Sequence, residues 1–387
     1  MPEFVLNSAA RDTAERAEPT REPIGVHERL PDYAPGALVS APSLAERAGV
    51  GSVMIKDASR VLGLPAFKIL GASWAGYRVL EQRLGRPFEP WSSLEQLAIQ
   101  IEPLLPLALI TASDGNHGRA VARLARWLGM TARIFLPAGT ARARVEAIVR
   151  EGAEVSLVDG SYDETVARAA ASRTERALLI QDTAWRGYER IPGWITEGYS
   201  TLFWETEQQL AASAEPGPDM VLVPVGVGSL AAAAVRHFRH SGRQGGAQPQ
   251  RIVSIEPLGA ACLLRSIAAG RPVSVAGAHG SMMAGLNCGT VSSLAWPVLE
   301  NGIDAAVGLE DEWAAEAMRA LAEIGLAAGE SGAASAAGLL ALGRSSEAGA
   351  ESARRRLGLG PKARVLVLMT EGPTDPDNYR RVVEAGR

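Results

Sequence analysis

The sequence predicts an α/β protein built from two parallel-sheet domains. Short apolar segments alternate with segments of helical length, a pattern typical of parallel strands joined by helical crossovers. Each short segment is apolar almost throughout, as expected of a strand covered on both faces, and a chain of 387 residues favours two domains. We predict strands at 107–113, 132–137, 154–159, 177–182, 220–225, 251–257 and 364–370.

The composition argues against several classes of partner. The net charge is −4 and charged residues make up 21% of the chain, so neither nucleic acid nor an anionic membrane is an expected partner. No segment approaches the roughly 18 apolar residues of a spanning helix, and the N-terminus lacks an apolar run of signal-peptide length. Two cysteines are too few for a disulfide scaffold. We therefore expect a cytoplasmic protein, and no metal site is predicted.

One lysine is a candidate for amine chemistry. The chain contains three lysines, Lys56, Lys68 and Lys362, against thirty-six arginines. Arginine supplies fixed charge but does not readily lose its proton to form an imine, so a lysine retained in an apolar segment is informative. Lys68 lies between Phe67 and Ile69, and burial by such neighbours is expected to lower its pKa. The residues alone leave open a lysine at a helix start whose amine reaches solvent.

Three junctions between a predicted strand and the segment after it, at 110–118, 223–230 and 368–375, contain glycines and polar residues. Ligands of open parallel sheets bind beyond the carboxyl ends of strands. In the second junction, glycines allow backbone amides to converge at a helix N-terminus, which suits a phosphate. The spacing matches neither common nucleotide motif. Taken singly each turn is more often structural, whereas the three together leave a structural role and a phosphorylated cofactor equally open, and they do not support a nucleotide.

These residues, in this order, resemble the signature of the fold-type II pyridoxal phosphate (PLP) enzymes. Phe67-Lys68 comes first, followed by the Gly115-Asn116-His117 turn, the glycine-rich loop and Thr370. The chain is also similar to the diaminopropionate ammonia-lyases from about residue 32 to residue 384. The segments with this similarity are FKILGAS, TASDGNHGRAVA, QDTAWRGYERIPGWITEGYSTL, SMMAGLNCG, GESGA and TEGPTDPDNYR.

The resemblance implies that PLP is the cofactor and assigns residues to it. Lys68 is expected to bond to the cofactor and to return as a proton carrier. Asn116 is expected to hydrogen-bond its phenolic oxygen, and Thr370 to face its pyridine nitrogen. A neutral hydroxyl at that nitrogen suits elimination, in which the carbanion is short-lived. The phosphate is expected at Gly226, Val227, Gly228 and Ser229.

The resemblance also implies a domain arrangement and an assembly. Residues 1–79 and 196–387 are expected to form the large PLP-binding domain, with residues 1–40 as a partly extended arm. Residues 80–195 are expected to form a small mobile domain, with the cofactor in the cleft between the two. The expected assembly is a homodimer.

Two carboxylates point to the substrate. Asp114 stands where the common dehydratases have a small residue, so its carboxylate could remove an α-proton from the face opposite Lys68 or bind a second ammonium. Asp182 ends the fourth predicted strand and could take whichever of these two roles, proton removal or ammonium binding, Asp114 does not take. The residues alone leave open a helix N-cap for Asp114 and a turn-forming cap for Asp182.

The predicted reaction is α,β-elimination of 2,3-diaminopropionate, in the L and possibly the D form, to pyruvate and two ammonia molecules. The alternative enzymes are a serine/threonine-type dehydratase or a β-replacement synthase, acting on a related or modified diamino acid. They share fold and cofactor, because substrate choice depends on a few pocket residues. The contrasting class is a non-catalytic PLP-binding protein.

Overall fold

The fold is given by a computed structural model that describes residues 1–11, 18–240, 250–277 and 279–384. In these residues the strands are β1 (Glu3–Leu6), β2 (Leu38–Ser40), β3 (Ser52–Asp57), β4 (Ala108–Ala112), β5 (Thr131–Pro137), β6 (Glu154–Val158), β7 (Ala177–Leu179), β8 (Met220–Pro224), β9 (Arg251–Pro257), β10 (Ala305–Leu309) and β11 (Arg364–Met369). Residues 12–17 of the predicted arm lie outside the described residues.

The helices of the same residues are α1 (Glu22–His27), α2 (Pro42–Ala48), α3 (Lys68–Leu84), α4 (Leu94–Ile101), α5 (Asn116–Trp127), α6 (Arg142–Val149), α7 (Tyr162–Ala171), α8 (Arg190–Gly198), α9 (Ser200–Ser213), α10 (Ser229–Phe238), α11 (Cys262–Ala269), α12 (Trp296–Gly302), α13 (Asp311–Glu323), α14 (Ala334–Arg344), α15 (Ala348–Leu357) and α16 (Pro376–Glu384). None of these helices combines the length and apolar character that crossing a membrane requires.

The chain divides into two compact units. The first contains Met1–Thr20, Pro35–Arg60 and Leu202–Arg387, and the second contains Arg21–Ala34 and Val61–Thr201. The second unit therefore includes the whole of α3 and Lys68 at its start.

The first unit is organised around a seven-stranded sheet with the order β1-β10-β9-β8-β11-β3-β2. Its five central strands are parallel, whereas the edge strands β1 and β2 run antiparallel to their neighbours. The strands β8 and β10 are buried at every residue, as expected of parallel strands covered on both faces. The helix α14 is buried from Ala334 to Leu342, and its alanines and glycines allow it to lie close to the sheet.

The second unit is organised around a four-stranded, wholly parallel sheet with the order β6-β5-β4-β7. The strand β4 lies between β5 and β7, so the turn after β4 and the segment after β7 leave the same edge of the sheet. Parallel strands bring their carboxyl ends together in this way, and ligand-binding residues collect there. The two segments contain Asp114 and Asp182.

The central helix of the second unit is α3, which packs against α5 and α8. Glycines at the crossing with α8 explain how close the helices come. A Cβ on Gly71 would lie 2.5 Å from Tyr199 Cε1, and one on Gly198 would lie 2.4 Å from the carbonyl oxygen of Leu70. The contact is backbone against backbone, so α3 and Lys68 have little freedom to shift relative to α8.

The structure confirms the predicted α/β class and contains all seven predicted strands. The structure adds an antiparallel strand at each edge of the parallel strands of the first unit, which the sequence did not predict. The strands β1, β2, β3 and β10 were not predicted. The strand β7 ends at Leu179, so Gln181 and Asp182, which the sequence placed at the end of that strand, lie beyond it.

The predicted domain boundaries differ from the compact units. Residue 80 lies inside α3 and residue 195 lies inside α8, and a boundary there would cut two helices that pack against each other. The units instead divide after Arg60 and after Thr201, which assigns Lys68 to the second unit. Which residues move together as a functional domain stays a prediction.

We expect Gly198→Ala to lower the free energy of unfolding by about 1–3 kcal/mol, because the new methyl group meets backbone that cannot move aside. Gly25→Ala is the matched control, because Gly25 is helical and a Cβ there has no heavy atom within 4 Å. The control should be neutral or stabilise by up to about 1 kcal/mol. Urea unfolding measures both, and equal effects of the two substitutions would contradict the close approach.

Candidate active site

Lys68 is the first residue of α3 and forms an ion pair with Asp182. Its Nζ donates a hydrogen bond to Asp182 Oδ2 at 2.8 Å. The Lys68 side chain is 19% exposed and that of Asp182 is 6% exposed, so the pair is largely removed from water. The Nζ also lies 5.6 Å from the centre of the Phe67 ring. The structure therefore joins two of the predicted catalytic residues directly.

The turn after β4 is held by Ser113. Its Oγ accepts hydrogen bonds from the backbone amides of Gly115, at 2.9 Å, and Gly118, at 2.8 Å. Gly115 has φ +146°, which favours glycine, and α5 begins at the next residue, Asn116. Since Ser113 accepts from these amides and the N-cap residue is Gly115, the helix N-cap considered for Asp114 is ruled out.

Asp114 is partly buried in that turn, and its charge acts on the Lys68 site. The negative charge of Asp114 contributes to the raised pKa of Lys68 and to that of the Tyr199 phenol. The two carboxylates considered for proton transfer or for a second ammonium thus both act on Lys68, one by direct contact and one through its field. A backbone hydrogen bond also lowers the pKa of Asp182, so the turn-forming cap considered for Asp182 stays a prediction beside the ion pair.

His117 and Tyr199 also lie beside the pair, and neither was predicted as a site residue. The Nε2 of His117 lies 2.7 Å from the carbonyl oxygen of Ile180, and its Nδ1 lies 4.0 Å from Asp182 Oδ2. Tyr199 is fully buried, with its ring centre 4.7 Å from that of Phe67. The absence of a side chain at Gly71 leaves the space that the Tyr199 ring occupies.

The electrostatics of the pair are opposite to the sequence expectation for Lys68. Burial alone lowers the pKa of Lys68, but the carboxylates of Asp182 and Asp114 and the Tyr199 phenol outweigh it, so the pKa is raised. The expectation of a lowered pKa was wrong because the compensating charges are distant in sequence. Burial raises the pKa of Asp182, and the Lys68 ammonium and His117 overcome it, lowering the value to about 2. At neutral pH the pair is ammonium and carboxylate.

The first unit contains the glycine loop. The strand β8 ends at Pro224 and α10 begins at Ser229, with Gly228 at the N-cap at φ +96°. A Cβ on Gly226 would lie 3.1 Å from Cys288 Sγ, and one on Gly228 would lie 2.7 Å from Leu299 Cδ1. Glycine is therefore required at both positions by close packing, and the loop leads directly into a helix N-terminus, which suits an anion. Val227 and Ser229 are buried in the same loop.

Thr370 follows β11 directly and is 3% exposed. It therefore lies at the carboxyl end of a central strand of the seven-stranded sheet, as predicted from the third junction. Asn116 lies in the second unit, as the first residue of α5.

Comparison with known proteins identifies the family. Residues 30–371 match the family described as pyridoxal-phosphate dependent enzyme. The chain belongs to this family. It is 36% identical to the diaminopropionate ammonia-lyase of Salmonella typhimurium over 376 residues, which are 95% of this chain and 92% of that protein. The identity to the enzyme of the same name from Escherichia coli is also 36%, over 93% of this chain and 90% of that protein.

Solved structures agree with the family assignment. The Escherichia coli diaminopropionate ammonia-lyase in complex with an aminoacrylate-PLP azomethine reaction intermediate has a TM-score of 0.87 and 32% identity, covering 100% of this chain and 98% of that one. The same enzyme in complex with D-serine has a TM-score of 0.88, with the same identity and coverage. The fold is therefore that of a fold-type II PLP enzyme, and the cofactor is PLP.

The residues described above fit the cofactor of a pyridoxal-phosphate dependent enzyme. One buried polar atom beside the Lys68–Asp182 pair, His117 Nδ1, makes no hydrogen bond with any described residue, and the Tyr199 phenol has the Lys68 amine as its neighbour. Unpaired buried polar atoms are rare and call for an explanation such as a bound group. The second unit thus supplies an amine and polar groups, and the first unit, taken by itself, supplies an anion site in its glycine loop.

We expect Asp182→Asn to lower the free energy of unfolding of the cofactor-free protein by about 3 kcal/mol at neutral pH, because it leaves the Lys68 ammonium buried without its carboxylate. Asp182 has a lowered pKa, so its stabilisation is present above its ordinary pKa of 3.8 and lost as the pH falls towards about 2. Lys68 has a raised pKa, so its stabilisation is present below 10.5 and lost only at higher pH.

The difference between wild type and Asp182→Asn should therefore shrink between pH 7 and pH 3 in urea unfolding. Asp163→Asn, at an exposed position of α7, is the control and should change little at either pH. A difference that stays constant across this range would mean that the pair does not act through its charges.

Proposed function

We propose that the protein catalyses the PLP-dependent α,β-elimination of 2,3-diaminopropionate to pyruvate and two ammonia molecules. The observation that carries the proposal is the ion pair of Lys68 with Asp182 in the field of Asp114. It lies in a chain that is 36% identical to diaminopropionate ammonia-lyases along almost its whole length. A substrate with two amino groups needs more negative charge at its site than serine does, and two carboxylates supply it.

The cofactor contacts belong to the same proposal. Lys68 would hold the cofactor through Nζ, and Asn116 would donate to its phenolic oxygen. The backbone amides of Gly226, Val227, Gly228 and Ser229 would hold its phosphate, and the Thr370 hydroxyl would face its pyridine nitrogen. When bound, PLP supplies an electron sink for the negative charge that develops at the substrate Cα.

The protein residues would then divide the work of binding and proton transfer. Lys68 Nζ, once free of the cofactor as a neutral amine, would take the proton from the substrate Cα on one face, and the Asp182 carboxylate would stabilise the ammonium that forms. Asp114 would remove the Cα proton on the other face, or would bind the β-ammonium until it leaves as ammonia. Because Lys68, Asp182 and Tyr199 are largely buried, water has little access to the Lys68 amine, so its proton exchanges little with solvent.

A homodimer and a cytoplasmic location, expected from the resemblance and the composition, stay predictions. Sedimentation of the purified holoenzyme would test the dimer.

We expect purified holoprotein to release two ammonia molecules for each pyruvate from L-2,3-diaminopropionate, with kcat/KM at least about ten-fold higher than for serine. Lys68→Ala should lose both the activity and the visible absorption band of lysine-bound cofactor. Preference for serine would instead indicate a dehydratase, and a new amino acid formed with an added nucleophile would indicate a synthase. An intact cofactor band without turnover of any of these substrates would favour a non-catalytic protein.

We expect Asp114→Asn to lower kcat for the D isomer by about 100-fold or more, because a positioned base contributes at least this factor. The L isomer should be affected less if Lys68 serves the opposite face. Asp163→Asn provides the control for an Asp-to-Asn exchange at an exposed site of the same unit. Unchanged turnover of the D isomer by Asp114→Asn would exclude the two-base mechanism.

A further inference from the structure

A buried glutamine next to Asp182 uses all four hydrogen-bonding positions of its side-chain amide. Gln181 is fully buried. Its Oε1 accepts from the Ala112 backbone amide at 2.9 Å and from Thr111 Oγ1 at 3.0 Å. Its Nε2 donates to Tyr162 Oη and to Asp182 Oδ1, both at 3.2 Å. The amide is therefore fully satisfied, as a buried polar group must be to avoid a cost in stability.

The orientation of this amide is decided by its backbone partner. The N–H of Ala112 can only donate, so the Gln181 atom facing it must be the oxygen. The Gln181 nitrogen must then face Asp182. If the amide were flipped, its nitrogen would face the Ala112 N–H, which is also a donor, and its oxygen would face the Asp182 carboxylate, which is also an acceptor. Asp182 Oδ1 thus accepts a hydrogen bond from the neutral Gln181 amide, and Asp182 Oδ2 accepts one from the Lys68 ammonium.

The backbone of Gln181 is held as firmly as its side chain. Its N–H donates to Tyr188 Oη at 2.9 Å, and Tyr188 Oη donates to the carbonyl oxygen of Leu179 at 2.8 Å. The Tyr188 ring is stacked on Trp185 with a centroid distance of 4.4 Å. Because β7 ends at Leu179, the Tyr188 hydroxyl takes the place of a neighbouring strand as the hydrogen-bond partner of the Gln181 backbone. The backbone before Asp182 is therefore held in place.

Gln181 also connects the two segments that contain the candidate carboxylates. Ala112 is the last residue of β4, and the turn with Asp114 begins immediately after it. The Oε1 of Gln181 binds the end of β4, while its Nε2 binds Asp182. The Gln181 side chain, together with the hydrogen bond of His117 to the Ile180 carbonyl, therefore fixes the register between the Asp114 turn and the Asp182 segment.

We propose that Gln181 is a positioning residue, which holds the Asp182 carboxylate so that Oδ2 meets Lys68 and ties that carboxylate to the turn with Asp114. Its contribution to catalysis rests on the proposed function, whereas its effect on Lys68 does not need that function. A purely structural Gln181 would only stabilise the sheet edge, and its loss would change stability without changing Lys68.

The proton affinity of Lys68 distinguishes the two roles. The groups that act on Lys68 are Asp182, Asp114, Tyr199 and His117, and of these Asp182 alone has a hydrogen bond to the Gln181 side chain in the described residues. If Gln181 keeps Asp182 aligned, its replacement weakens the ion pair and brings the proton affinity of Lys68 down. Gln181→Met retains the length of the side chain and removes both the donor and the acceptor.

The first measurement is the pH dependence of Lys68 acetylation in the full-length, cofactor-free protein, followed by peptide mass spectrometry. Lys362 is the internal standard, because it is exposed and, within the described residues, has no hydrogen bond with Gln181 or Gln209. Gln181→Met should lower the midpoint of Lys68 acetylation by roughly one pH unit. In the holoenzyme the same substitution should lower kcat for diaminopropionate by about ten-fold or more with a smaller change in KM.

A control glutamine and a second variant near Gln181 distinguish a specific effect on Lys68 from a general loss of stability. Gln209→Met removes a glutamine that bonds Lys56 and Gly36 in the first unit, and it should reduce stability without moving the Lys68 midpoint. Thr111→Val removes one donor to Gln181 Oε1 and should move the midpoint in the same direction by a smaller amount. If Gln181→Met does not fold, Thr111→Val provides the result.

A folded Gln181→Met protein with wild-type midpoint and wild-type kcat would overturn the proposal, as would an unchanged midpoint in Thr111→Val when Gln181→Met is unfolded. Failure of the proposed function has a different signature. The wild-type holoprotein would then lack turnover of diaminopropionate, while the acetylation midpoints of the cofactor-free proteins would still test the role of Gln181.

Discussion

The second unit depends on one constraint, which is that a lysine ammonium largely removed from water must have a carboxylate beside it. Desolvating two charges costs several kcal/mol for each ion, and the cost is offset only when the geometry of the pair is well held. The surrounding contacts supply that geometry. The crossing of α3 with α8 fixes Lys68, and the contacts of Gln181 fix Asp182. The same pair gives the amine a stable proton, which cofactor attachment must first remove.

The fold could be predicted wherever a strand is an uninterrupted apolar run. The strands that were missed each break that rule for a physical reason. In β3 the run is interrupted by Lys56, which is buried because its Nζ donates to the Gly36 carbonyl and to Gln209 and pairs with Glu205. In β10, AAVGL has the small residues of a helix or a turn, and only its neighbours in the sheet make it a strand. The strands β1 and β2 are short edges, whose partners are distant in sequence.

The sequence predicts which residues belong to the candidate site, but it does not predict which of their side chains contact one another. Lys68, Asp114 and Asp182 follow from chemistry and from the family resemblance, whereas the direction of the Lys68 pKa follows only from which groups meet it in space. The role of Ser113 in place of Asp114 at the helix start is a similar case, since either side chain suits a cap and only the geometry chooses. Gln181 was hidden because a glutamine at a strand end has no motif of its own.

The crossing of α3 and α8 at Gly71 and Gly198 limits which positions of the protein can be substituted during evolution. Neither position can accept a side chain without displacing backbone or the Tyr199 ring, so the spacing between the two helices is not adjustable in small steps. Asp114, in contrast, belongs to a turn whose hydrogen bonds are made by Ser113 and not by its own side chain. Under the proposed role of Asp114, single substitutions in that turn could change the substrate preference, while the helix crossing stays closed to gradual change.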